Sequence, residues 1–136
     1  MGKPAFNPGF RLSLRDVIVL LIGIIAAGGL AFVAPPVSLV VGATVLHFFL
    51  FCNVFRIRRG PELIWAAAFL GLSLAAMHWG LAWPIALLAG FGVAAVLIVN
   101  EFRHPSYHGV GWRRLNPSLP EWWSRRGRAE GSAIVR

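Results

Sequence analysis

One ionisable side chain, His47, stands inside a long run of uncharged residues and is the first candidate for chemistry. In a membrane-spanning segment it would lie near bilayer depth, where an ionisable group is a functional candidate by default. A neutral imidazole there could ligate a haem or chlorin, or hydrogen-bond a quinone. No second histidine lies deep in an apolar run, so two histidines of this chain cannot ligate one haem. We favour a packing role, with His47 bonded to Thr44 or to a neighbouring helix. Two alternatives remain open, a cofactor contact and a contact with a partner subunit.

A second group of potential ligands is Glu101, His104 and His108, which have the spacing i, i+3, i+7. On one continuous helix they would share a face and could bind a metal, but Pro105 is expected to end the helix. The set is also too small for a di-iron site, so we predict an interfacial loop and no metal. The single cysteine, Cys52, excludes an intrachain disulfide and is interpreted as an apolar filler.

Arginines form the most distinctive charge pattern of the chain. Arg56, Arg58 and Arg59 are clustered between two apolar flanks. Guanidinium groups suit phosphate, and each arginine near an anionic membrane surface is worth about 1 kcal/mol. The candidate residues for an anion or an anionic lipid headgroup are Arg56, Arg58, Arg59, Arg103, Arg125 and Arg126.

For Arg56 and Arg103 we favour a role in a charged bundle rim, with binding of a lipid phosphate or another anion as the competing interpretation. Asp16 and Glu62 are predicted at the same membrane face, so opposite charges there would lock the helices together more strongly than exposed pairs do. Asn53 and Asn100 could bond carbonyls of neighbouring helices. Both asparagines begin an Asn-x-Phe-Arg motif, which indicates either a duplicated hairpin or convergence at membrane exits.

The composition of the chain is that of a membrane protein. Of its 136 residues, 57% are hydrophobic and 13% are charged, whereas soluble domains carry about 25% charged residues. Four apolar runs each approach the roughly 20 helical residues that cross a bilayer. We predict an all-α polytopic protein with four transmembrane helices arranged as two hairpins, at about 17–34, 37–55, 62–78 and 81–101. The proline pair after the first run favours a turn there over one long helix.

The distribution of charge predicts the topology. Lys and Arg occur in residues 1–16, between the second and third runs, and in the tail 102–136, whereas the other two connections are uncharged. Because Lys and Arg accumulate in cytoplasmic loops, we predict a multi-pass protein of the bacterial inner membrane. Both the N-terminal segment and the basic tail are then cytoplasmic, and the first run is a signal anchor instead of a cleaved signal peptide.

Small residues recur at every fourth position on three of the predicted helices. Such stripes let helix backbones approach closely in lipid. We favour packing within the bundle, and the alternative is that one stripe docks another subunit. The stripes are Gly23, Ala27 and Ala31; Ala67, Gly71 and Ala75; and Ala86, Gly90 and Ala94.

The expected function follows mainly from what the chain lacks. No acidic residue lies deep in a run, which argues against a proton-coupled carrier. The sequence also has no nucleotide-binding loop and no catalytic Ser-His-Asp set, so an enzyme is not favoured. We expect a non-catalytic structural or accessory subunit of a larger membrane complex, for example one that transduces energy. The alternative is a cofactor- or quinone-binding protein that uses His47, and the third candidate is a small channel or exporter.

Three kinds of partner are considered for this chain. Its net charge of +8 and its arginines predict contact with anionic lipid headgroups, and its apolar faces predict contact with other membrane subunits or a second copy. Trp122 and Trp123 in the tail indicate an interfacial segment, with docking on a larger protein as an alternative. Nucleic-acid binding by the basic tail is not favoured in a membrane chain.

Overall fold

The computed structural model describes residues 6–133, with side chains described for residues 6–126, and this part of the chain is helical without a β-strand. Lys3, in the predicted N-terminal segment, and Arg136, in the predicted tail, lie outside the described residues. The helices are α1 (Leu14–Val33), α2 (Pro35–Phe49), α3 (Arg59–Trp79), α4 (Trp83–Phe102), α5 (Trp112–Leu115) and α6 (Leu119–Ala133). A π-helical segment, Leu50–Val54, continues α2 without a break.

Four of these elements are long and apolar enough to cross a membrane, which confirms the prediction of four apolar helices and is typical of a multi-pass membrane protein. They are α1, α2 together with its π-helical segment, α3 and α4, and each has 20 or 21 residues. The predicted bounds differ from these by up to three residues. The largest differences are at the starts of α1 and α3, which were predicted at residues 17 and 62 and lie at Leu14 and Arg59. Both helices begin earlier than predicted because the first turn of a helix tolerates charged residues and proline.

Local sequence explains where the helices begin and end. Ser13 and Asp16 form a capping box, in which the Ser13 hydroxyl accepts from the Asp16 amide and the Asp16 carboxylate accepts from the Ser13 amide over 2.7 Å. Only Ala34 separates α1 from α2, and Pro35 occupies the first turn of α2, where its missing N–H is not needed. Gly80 ends α3 with a φ of +70°, a conformation that favours glycine.

The four long helices pack through small residues and aromatic rings. α1 lies along α2, where Gly23 meets the side chain of Val45, and α3 lies along α4, where a Cβ on Gly90 would come within 2.7 Å of the Phe69 ring. The buried core consists of Phe51, Trp65, Phe69 and Ala94. Glycine at these two crossings is therefore needed for close approach, as expected for helices packed in lipid.

The tail folds back onto the end of the bundle where α1 and α3 begin and where the π-helical segment and α4 end. We call this the charged end. The amide of Val110 donates to the Val54 carbonyl over 2.9 Å, and the amide of Gly9 donates to the His108 carbonyl over 2.7 Å. Tyr107 and Leu119 are buried, so the tail contributes its own small core.

Candidate functional site

His47 lies in an aromatic cluster between α2, α3 and α4. Only 1% of its surface is exposed. Its ring stacks on Trp65 with the ring centroids 4.3 Å apart, and Phe91 lies on it at 4.7 Å. Trp65 is itself held in place because its indole N–H donates to the Gly90 carbonyl over 3.1 Å. The four-residue spacing along α3 also brings Phe69 onto Trp65 as a stacked pair.

The two nitrogens of His47 have different surroundings. Nδ1 is 2.7 Å from the Ala43 carbonyl oxygen, which can only accept, so Nδ1 carries the proton. Nε2 is buried and has no hydrogen-bond partner among the described residues. The expected bond to Thr44 is not the one formed, because the Thr44 hydroxyl donates to the Val40 carbonyl. His47 bonds its own helix one turn back.

In this arrangement a haem, chlorin or quinone could contact His47 only after protein atoms around Nε2 had moved. The unpartnered Nε2 is the atom that would ligate a metal or accept from a quinol, but it is enclosed by protein. A planar macrocycle would have to displace the Trp65 or Phe91 ring to reach it. Within residues 6–126 no three His, Cys, Asp or Glu side chains converge as metal ligands. We therefore derive no chemistry through a cofactor at this position.

Replacement of His47 by phenylalanine is expected to leave the protein as stable as before or to stabilise it. Phenylalanine keeps the ring in the aromatic cluster and removes a buried nitrogen without a partner, a group that costs about 1–3 kcal/mol. His47→Ala, in contrast, is expected to destabilise the protein, because it leaves a cavity between the rings. Thermal unfolding in detergent measures both. A strongly destabilised His47→Phe protein would contradict the packing role and indicate that Nε2 has a partner in the membrane.

The charged end contains an ion pair in which the carboxylate is buried and the guanidinium is partly exposed. The Arg58 Nε donates to Glu101 Oε1 over 2.8 Å, and Nη2 donates to Oε2 over 3.2 Å, so the contact is bidentate. The Glu101 side chain is 3% exposed and that of Arg58 is 54% exposed. The hydrogen bond to Glu101 raises the pKa of Arg58. This pair joins the start of α3 to the end of α4.

The predicted rim residues are placed in separate contacts. The side-chain amide of Asn53 faces two acceptors, Asp16 Oδ2 and the Arg11 carbonyl oxygen. The amide nitrogen is therefore assigned to this side, and it donates to Asp16 Oδ2 over 3.0 Å and to the Arg11 carbonyl over 2.6 Å. Asn53 thereby joins the end of the π-helical segment to the start of α1. Glu62 accepts from the thiol of Cys52 over 3.9 Å. Asn100 has an exposed side chain and contributes its carbonyl to the turn that ends α4.

The predicted anion-binding arginines do not form one cluster. Arg59 and Arg103 are exposed and, within residues 6–126, neither forms an ion pair. Arg125 lies 3.6 Å from Glu121 on the exposed side of α6, and Arg126 lies over the Trp122 ring at 5.4 Å. Arg56 differs from the rest because it is half buried and lies at the wall of a cavity.

With this geometry in place, the chain was compared with known proteins. No family model matches it, and no curated protein and no solved structure matches it.

The residues that sequence reasoning missed are in the tail and in the segment before α1. Tyr107 is 1% exposed, its hydroxyl donates to the Val110 carbonyl over 2.7 Å, and burial raises its pKa to about 12. Burial, together with the positive charge of Arg56, lowers the pKa of His108. Arg11 lines the same cavity as Arg56. The only sequence signal was the glycine content of the tail, which is compatible with close backbone contacts.

The three potential metal ligands of the sequence have other partners. Glu101 binds Arg58, His104 Nδ1 lies 2.6 Å from the Ser106 hydroxyl, and His108 Nδ1 donates to the Ser106 carbonyl over 2.8 Å. α4 ends at Phe102, so these residues do not share a helical face.

Proposed function

We propose that this chain is a non-catalytic accessory subunit of a larger membrane assembly. It is inserted in the bacterial cytoplasmic membrane as two helical hairpins with both termini in the cytoplasm. The orientation is supported by the positive charges, all of which lie outside the long apolar runs on the predicted cytoplasmic side.

One observation carries the proposal: the small-residue stripe of α3 is open at two of its three positions, Ala67 and Gly71, and half buried at Ala75. A Cβ on Gly71 would have no atom within 4 Å, and Ala67 is exposed. In contrast, Gly23 of the α1 stripe packs on Val45, and Gly90 of the α4 stripe packs on Phe69. The open stripe is flanked along α3 by exposed apolar side chains, namely Leu63, Ile64, Leu70, Leu74 and Met77. A helix of another subunit would approach closely along this face.

The polar groups of the long helices support a role without transport or catalysis. The hydroxyls of Ser38 and Ser73 donate to the carbonyls of Ala27 and Phe69 over 2.7 and 2.8 Å. A small channel or exporter needs polar groups that line a path or exchange partners with a substrate. The groups here satisfy the protein backbone instead, which supports an accessory role over a small channel or exporter.

The expected result for Gly71→Leu is loss of the larger assembly without loss of the fold. Leucine fills the open stripe and keeps a partner helix away, while its Cβ has no atom of its own chain within 4 Å. The matched control is Gly92→Leu, at a position of α4 that is also open within 4 Å. The apparent mass after gentle solubilisation should fall for Gly71→Leu only, with the thermal unfolding midpoints unchanged. A wild-type chain that migrates alone, or two variants that both retain the assembly, would contradict the proposal.

A further inference from the structure

A cavity with both charged and aromatic walls lies at the charged end, outside the four long helices. It has a volume of about 350 Å³, at the low end of the range of about 300–1,000 Å³ for small-molecule sites. Three segments form its walls: the segment before α1, the turn after the π-helical segment, and the tail. Arg11 and Arg56 contribute positive charge to it, and Phe6, His108 and Trp123 contribute rings.

The walls of this cavity are held in place by backbone hydrogen bonds. The Gly9 amide donates to the His108 carbonyl over 2.7 Å, which joins the N-terminal segment to the tail. The Arg11 amide donates to the Asn53 carbonyl over 3.1 Å, which joins it to the π-helical segment. Phe6 also packs edge-on against Trp123, with ring centroids 5.7 Å apart. The cavity is therefore formed before any ligand binds.

The positive charges in the cavity are not neutralised by a direct ion pair with any described residue. Within residues 6–126 no carboxylate forms an ion pair with Arg11 or Arg56. The nearby carboxylate of Asp16 is engaged by Ser13 and Asn53. Burial and the positive charge of Arg11 both lower the pKa of Arg56, which means that the surroundings disfavour its charged form. A bound anion would favour the charged form of Arg56 and so raise its pKa again.

Arg56 also has an unusual backbone. Its φ is +50°, the only positive value at a non-glycine residue in the described chain. Such a conformation costs about 1–3 kcal/mol and is concentrated at functional sites. The guanidinium donates through Nη1 to the Asn7 carbonyl, and its other nitrogens have no acceptor among the described residues. Glycine would adopt this backbone conformation without strain. The conformation therefore does not itself favour arginine, and we infer that the guanidinium side chain has a role at this position.

We propose that this cavity binds a phosphate group through Arg11 and Arg56, with Phe6 and Trp123 packing against the molecule that carries it. The phosphate belongs either to an anionic lipid headgroup or to a soluble phosphate compound. Two guanidinium groups supply donors in the forked geometry that phosphate oxygens accept. His108 donates through Nδ1 to the Ser106 carbonyl, so its Nε2 can accept from a protonated phosphate oxygen. This proposal is independent of the docking face on α3.

The test measures binding to the purified full chain in two arms. In the first, the chain is placed in phosphatidylcholine bilayers with or without phosphatidylglycerol, and in the second, inorganic phosphate is titrated in detergent. The thermal unfolding midpoint is the common readout, because a ligand of the native state raises it. A saturable rise with phosphatidylglycerol alone assigns the phosphate to lipid, and a rise with inorganic phosphate shows that the phosphate group suffices. No saturable rise in either arm overturns the proposal.

Variants separate a defined site from diffuse attraction. Arg56→Gly should fold at least as stably as the wild type, because its φ suits glycine, and should lower the affinity by about ten- to a hundredfold. Arg56→Lys keeps the charge but loses the fork, and should recover only part of the affinity. Arg103→Ala is the matched control, since Arg103 is exposed outside the cavity walls. An equal loss for Arg103→Ala and Arg56→Gly would overturn the proposal.

Discussion

Gly109→Ala is expected to detach the tail from the charged end. A Cβ at this position would lie 2.6 Å from the Phe55 carbonyl carbon and closer still to its oxygen, whereas real Cβ contacts under 3.0 Å are essentially never seen. The obstacle is backbone, which cannot rotate away as a side chain can. Relief requires a shift of the tail, and the neighbouring bond from the Val110 amide to the Val54 carbonyl would be lost with it. We expect a cost of about 1–3 kcal/mol or more.

Limited proteolysis measures this effect. Arg113 and Arg114 lie in the short helix α5, directly after the contact, and trypsin should cleave there much faster in Gly109→Ala than in the wild type. Gly60→Ala is the matched control, because its Cβ would have no atom within 4 Å. The long helices should remain folded in both proteins. Equal resistance of the two variants to trypsin would show that the tail is not held by this contact.

Arg58→Ala is expected to destabilise the bundle more than any other single arginine replacement. It leaves the carboxylate of Glu101, which is 3% exposed, without its bidentate partner. A buried charged group without a partner costs about 1–3 kcal/mol or more. The lower part of this range applies here, because Arg58 is itself 54% exposed and water screens the pair.

The double variant distinguishes loss of a pair from loss of a side chain. Glu101→Gln removes the buried charge, so Arg58→Ala combined with Glu101→Gln should be more stable than Arg58→Ala alone. Arg125→Ala is the control, since Arg125 and Glu121 are both largely exposed and their pair should contribute almost nothing. Chemical unfolding in mixed micelles measures how far the free energy of unfolding of each of the three variants differs from that of the wild type. If the Arg58→Ala and Arg125→Ala proteins are equally stable, the Arg58–Glu101 pair does not lock α3 to α4.

The four long helices could be predicted because their signals are local. An apolar run of about 20 residues and a segregated set of arginines can be read without knowing any neighbour. The pairing at the charged end could not be read in this way. Arg58 binds Glu101 from a position 43 residues away, and which acid meets which arginine depends on the rotation of each helix about its axis. The predicted rim combined the arginines Arg56 and Arg103 with the acids Asp16 and Glu62. These pairs have the same chemistry as the Arg58–Glu101 pair that forms, so the residue types alone could not distinguish them.

The small-residue stripes show the same limit. All three have the same spacing, yet Gly23 and Gly90 pack inside the chain and Gly71 does not. Helix rotation again decides, and the sequence of one helix carries no record of it. The π-helical segment Leu50–Val54 had no signal either, because an extra residue in one turn leaves the composition unchanged. Arg56, with its unusual backbone conformation, follows this segment by two residues and precedes α3.

The hydrogen bond between Gly9 and His108 has a consequence for biogenesis. The two residues are separated by about a hundred positions, so at a translation rate of about 5–20 residues per second the first waits roughly 5–20 s for the second. During that time the first long helices can leave the ribosome, but the wall contributed by the tail does not yet exist. A nascent chain released before His108 would therefore be an inserted protein without its cavity. If the cavity binds an anion as proposed, the anion could enter only after its tail wall has been made, so binding would report chains translated at least as far as Trp123.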